Sequence, residues 1–162
     1  MSRRSEALAD RIEEGANGLA VFAGGLSDNE WQTPVPGSGR DSRPVGIAVH
    51  HVASVYPIEI DLARGIAAGN AVDVTWEAVA DLNANHAKDN ANVSKADAIA
   101  LLKQNSKAAA DAVRAFTDEQ LDTAAPFGLS FGAPVTAQFV LEDHAVRHSW
   151  HHLARIKAAL GR

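Results

Sequence analysis

The chain has 162 residues, 46% of them hydrophobic and 22% charged, with a formal net charge of −5 and no cysteine. That size and balance suit one soluble globular domain, 1–162, with a core of its own, and the acidic charge without a basic stripe excludes an electrostatic footprint for nucleic acid. The missing cysteines exclude disulfides, a cysteine nucleophile and thiolate metal ligands, so any metal site must use nitrogen and oxygen.

The N-terminal stretch MSRRSEALADRIEEG opens on two arginines, but Asp10, Glu13 and Glu14 interrupt any apolar signal-peptide region. No run of about 18 apolar residues follows, so no membrane span is expected and the cytoplasm is the expected location. In the first predicted helix Leu8, Ile12, Leu19, Phe22 and Leu26 share a face, and the helix should stop near Gly24-Gly25. The second starts at Pro44 and runs towards Gly69, with Pro57 expected to kink or split it. A shorter helix capped by Thr75 covers TWEAVADLNANHAKDN. Ser94 caps the third main helix, and the fourth runs from about Val135 to Leu160, where Gly161 stops it.

Two long connections, SDNEWQTPVPGSGRDSRP and TDEQLDTAAPFGLSFGAP, share a plan. Each starts with a hydroxyl residue, then aspartate, an acidic or amide residue and a large apolar one. Each ends at Pro-Val, where the next helix is expected to begin. The pattern reads as either an internal duplication or a reuse of the same cap chemistry. In the second connection Phe127, Leu129 and Phe131 suit a packed flap over one end of the bundle. No strand-like alternation persists, so the predicted class is all-α, a four-helix bundle.

Four of the seven histidines fall within nine positions, 144 to 152. With about 100° per helical residue, His51 lies on the face of Ile47, Val55, Ile58 and Leu62, and so points inward. His50 lies about 100° away, at the boundary. His148 and His152 are i and i+4, on the face of Leu141, Ala145, Ile156 and Ala159. His144 lies one turn earlier and offers a second i, i+4 pair with His148, while His151 falls at the rim. Phe139, Val146, Trp150 and Leu153 form a second apolar stripe. Three inward imidazoles leave six ring nitrogens to satisfy, and a divalent cation takes three at once with a fourth position left for water.

VGIAVHHVA on one helix and HSWHHLARI on the last resemble the DinB/YfiT-like superfamily of metalloenzymes. So do the L-S-D-x-x-W turn at Trp31, LNANHAKDNANVS and LLKQNSKAAADAVRAFTDEQLD, so the likeness spans nearly the whole chain. The resemblance implies a four-helix bundle of up-down-down-up topology holding a divalent ion, zinc or nickel, on His51, His148 and His152. His50, His144 and His86 then fall to the pocket or its surroundings. An ion with an open position lowers the pKa of bound water or thiol, which suits a hydrolase or a thiol transferase. The resemblance also implies an S-transferase or isomerase working with a small thiol such as mycothiol or bacillithiol, which this cysteine-free chain must receive as cosubstrate.

Glu59, Glu142 and His86 are the general-base candidates. Both glutamates also suit a solvated helix surface, and His86 suits a pocket border. The competing expectation is a non-catalytic stress-related binding bundle, its metal structural or absent, with His144 or His151 as a closing ligand. Small-molecule substrates are the expected partners of the enzyme, and a homodimer is compatible with the sequence.

Overall fold

The computed structural model describes residues 2–37 and 42–162. Four long helical stretches carry the fold: α1 (Arg3–Gly24), α3 (Val45–Ala67), α5 (Lys95–Arg114) and a last one built from α7 (Ala137–Val140), a π-helical segment (Leu141–Val146) and α8 (Arg147–Ala159). Short helices α2 (Asp28–Trp31) and α6 (Asp118–Asp122) and the longer α4 (Trp76–Asp89) lie between them. A single hydrophobic cluster from Leu8 to Ile156 draws on all four long stretches.

Side-chain ties at the helix ends give their directions. Lys95 at the start of α5 reaches the carbonyl of Leu26, just past the end of α1, and Arg162, beyond α8, pairs with Glu30. At the other end Arg114, the last residue of α5, pairs with Glu6 at 3.1 Å and with Asp10 and Glu13 at 2.9 Å, all in the first half of α1. The helices therefore run up, down, down, up. Two consecutive long helices can be parallel because residues 68–94, with α4, make the return trip between them. No helix among the described residues is long and apolar enough to cross a membrane.

The two long connections are built alike. Ser27 and Thr117 each form a reciprocal capping box, with Glu30 and Gln120. Trp31 and Leu121 follow, both buried. Thr33 and Thr123 bond back to the carbonyls of Asn29 and Glu119, and their own carbonyls accept from Val45 and Ala137. Each then forms a two-stranded ribbon: β1 (Pro34–Pro36) pairs with β2 (Ser42–Pro44), and β3 (Ala124–Pro126) with β4 (Pro134–Thr136). The shared cap chemistry thus continues into a shared backbone design, which favours duplication. The copies keep the helix start, Val45 and Ala137 each following the second strand. The Pro-Val match does not hold: Pro44 corresponds to Thr136, and Pro134 and Val135 lie inside β4.

In the flap, Phe127 is 1% and Leu129 9% exposed, but Phe131 is 92% exposed. Phe131 sits at φ 55° in the turn that reverses the chain, which turns its side chain outward. Gly128 lies against Val74, whose carbonyl oxygen would stand 2.0 Å from an added Cβ. Only glycine allows this close approach. The second apolar stripe of the last helix is mixed. Val146 and Leu153 are buried, Phe139 is exposed, and Trp150 lies half out of solvent over Gly15.

The helix α3 is continuous through Pro57 rather than split. Proline has no N–H, so the carbonyl of Ala53, four residues back, loses its helical donor. Asn105 of α5 supplies a replacement, its Nδ2 donating to Ala53 O at 2.9 Å. Asn105→Ala should cost about 1–3 kcal/mol of stability, the penalty of a desolvated unpaired carbonyl. Adding Pro57→Ala should recover much of it by restoring the backbone donor. Urea denaturation of the two variants checks this, and an unchanged midpoint in the single variant would contradict it.

Candidate metal centre

The helix α3 is buried along two faces. Val49, Val52, Ala53, Tyr56 and Ala63 are fully buried in the bundle core. The neighbouring face, with His51, Val55, Ile58 and Leu62, lines a cavity of about 360 Å³ bounded also by α4 and α8. The residues read as inward from the helical wheel therefore do share a face, but it is the cavity's rather than the bundle core's. That difference explains why Ile58 stays 42% exposed.

His51, His148 and His152 converge there. One ligand nitrogen from each lies within 4.8 Å of the other two. Nε2 of His148 is 3.2 Å from Nε2 of His51, close to the separation of about 3.3 Å between two nitrogens on one tetrahedral zinc. The rings of His148 and His152 stack at 4.9 Å, the consequence of their i, i+4 spacing on α8. Among the described residues no further histidine, cysteine or carboxylate joins the three.

Glu59, eight residues after His51 on α3, is 4% exposed and hydrogen-bonds through Oε1 to Nδ1 of His148. It is therefore no solvated helix residue. A carboxylate on Nδ1 fixes the proton there and leaves Nε2 bare towards His51. Its other oxygen is buried without a partner.

The three rings fit an ion better than they fit a hydrogen-bond network. Glu59 engages one of their six nitrogens, and His51 and His148 engage each other. The Nδ1 atoms of His51 and His152 are buried without partners. Burial, with His148, His86, Arg43 and His50 adding to it, pushes His51 down to about 3. Burial also pushes His152 far down, helped by His148, His51, His151 and Arg155. Both are neutral at physiological pH, the state a metal ligand needs.

The other candidates lie around the cluster or away from it. His50 shares a 2.8 Å hydrogen bond between its Nδ1 and Nε2 of His86, tying α3 to α4, and the His86 ring stands 5.6 Å from that of His51. His144 lines the cavity but packs edge-on against Phe127. The π-helical segment holding His144 turns more widely than an α-helix, so the 100° phase linking it to His148 breaks there. His151 is exposed at the rim. Glu142 is exposed and accepts from Gln138 instead of facing the cavity.

A family model described as the DinB superfamily matches residues 11–156. No curated protein matches the chain. Among solved structures, the fold is similar to YfiT from Bacillus subtilis, described as a probable metal-dependent hydrolase with an unusual four-helix bundle topology. The TM-score is 0.75 at 21% identity, over 98% of this chain and 87% of that one. At this identity the likeness is one of fold.

Holding His51 and His152 neutral has a cost that appears on acidification. Their folded pKa values are lowered, so below about pH 6.5 the unfolded chain binds protons that the folded one refuses. Stability is complete above that pH and declines as pH falls towards about 3. The urea midpoint of metal-free protein should be lower at pH 5.5 than at pH 7.5. A midpoint that holds or rises would contradict this account.

Proposed function

The chain belongs to the DinB superfamily, and from that premise we propose that it is a divalent-metal-dependent hydrolase of a small molecule. His51, His148 and His152 hold the ion, zinc or nickel. The observation that carries this reading is the three-histidine cluster itself. It opens on a cavity of about 360 Å³ and, among the described residues, has no fourth protein ligand. A structural ion would be closed by such a ligand. The similarity to YfiT, a probable metal-dependent hydrolase, supports the same reading.

When bound, a divalent ion supplies Lewis acidity and lowers the pKa of water towards neutrality. The chain's own residues do the rest. Glu59 holds the proton of His148 at Nδ1 and keeps its ring oriented. Burial keeps His51 and His152 unprotonated. Val55, Leu62 and Leu129 wall the cavity with apolar surface that limits water around the reacting group. A thiol transferase or isomerase is the second reading. In that reading a small thiol enters as cosubstrate, since the chain has no cysteine of its own.

Untagged protein, stripped and titrated with zinc, should take up one ion, and His148→Ala should take up none while keeping its helical circular dichroism. Glu59→Gln should weaken zinc affinity about 10- to 100-fold. Activity on a panel of esters, amides and phosphoesters should require the metal. Metal-dependent consumption of a small thiol without hydrolysis would move the assignment to the second reading. Stoichiometric zinc in His148→Ala would overturn the proposed centre.

A further inference from the structure

Five ionisable side chains other than histidine line the cavity: Arg43, Glu59, Asp143, Arg147 and Arg155. Two carboxylates are already engaged. Asp143 pairs with Arg147 at 3.2 Å, and Glu59 binds His148. Among the described residues Arg43 and Arg155 have no carboxylate partner, although each is partly buried. Both line the same cavity as the three histidines. The cavity therefore carries a local positive excess in a chain whose formal charge is −5. A concave site of opposite sign to its protein focuses ligands of the opposite charge.

The remaining wall is apolar yet uncovered. Ile58 is 42%, Leu82 43% and Trp76 56% exposed, and all three line this cavity. Trp76 and Leu82 come from α4, which buries none of its residues. The Trp76 ring is fixed by its Nε1 donating to Leu129 O at 3.1 Å. Several exposed large side chains on one concave surface form a binding wall rather than scattered surface residues.

We infer that the substrate is an amphipathic organic anion, whose carboxylate or phosphate is held by Arg43 and Arg155 and whose apolar body lies against Ile58, Trp76 and Leu82. This rests on the reading of the three histidines as the reacting centre. Guanidinium groups bind both kinds of anion through paired N–H donors, so the shared chemistry is the planar fork and its charge.

Isothermal titration of the zinc-loaded full chain with octanoate, octyl phosphate and neutral octanamide tests it. The expected result is that the anions bind about tenfold or more tighter than the amide. That preference should disappear in the double variant Arg43→Gln, Arg155→Gln, which should still bind zinc. Whichever anion binds more tightly identifies the headgroup. Equal affinity for all three compounds, or an anion preference that survives the double substitution, would overturn the inference. If the protein takes up no zinc, the metal reading fails, and the same comparison on the protein as purified still decides this one.

Discussion

Tyr56 and Ser149 share a hydrogen bond of 2.6 Å in a region closed to solvent, and both side chains are fully buried. This contact sets the register of α3 against α8. Tyr56 lies five residues after His51, and Ser149 follows His148. A slide of one residue along either helix is about 1.5 Å, enough to take the facing His51 and His148 nitrogens out of a common coordination sphere. Glu59 adds a second tie between the same helices, directly to His148. Burial pushes the Tyr56 phenol upward, so it stays a neutral donor or acceptor at any physiological pH. Three imidazoles can therefore stand near one another because a neighbouring polar pair and a buried carboxylate hold the two helices in place.

The topology follows a related logic. Parallel α3 and α5 need a long return, and α4 with its flanking segments supplies it. That return adds little to the bundle core, since α4 buries no residue there. Its contribution is the open side of the cavity, with Trp76 and Leu82 on the wall and His86 tied to His50. The two ribbon connections cap the bundle at opposite ends and are built on the same capping-box plan. The fold thus separates a stable core, shared by the four long helices, from a thinner wall on the open side of the cavity.

Much of this was legible in the sequence. Apolar periodicity, the caps at Ser94 and Thr75 and the stop at Gly161 marked the long helices, because each of these features is local. The parallel phase of His51, Val55, Ile58 and Leu62 was legible too, though periodicity alone does not say whether a buried face meets core or cavity. Glu59 was readable only as one candidate among solvated positions. Its burial depends on α8, a partner distant in sequence. The π-helical segment was not legible, since Leu141–Val146 has an ordinary helical pattern in sequence. The exposed Phe131 departs from the packed flap because one left-handed residue outweighs the apolar composition around it. Pro57 predicts a kink or a split, whereas the donor that replaces its missing N–H comes from Asn105 on another helix, out of reach of local sequence.

The central claim is that three imidazole nitrogens from α3 and α8 hold one divalent ion. X-ray absorption at the zinc edge of zinc-loaded protein measures this most directly. The account predicts a first shell of nitrogen and oxygen at about 2.0–2.1 Å, with outer-shell scattering from three imidazole rings. A shell with one imidazole or none would contradict it.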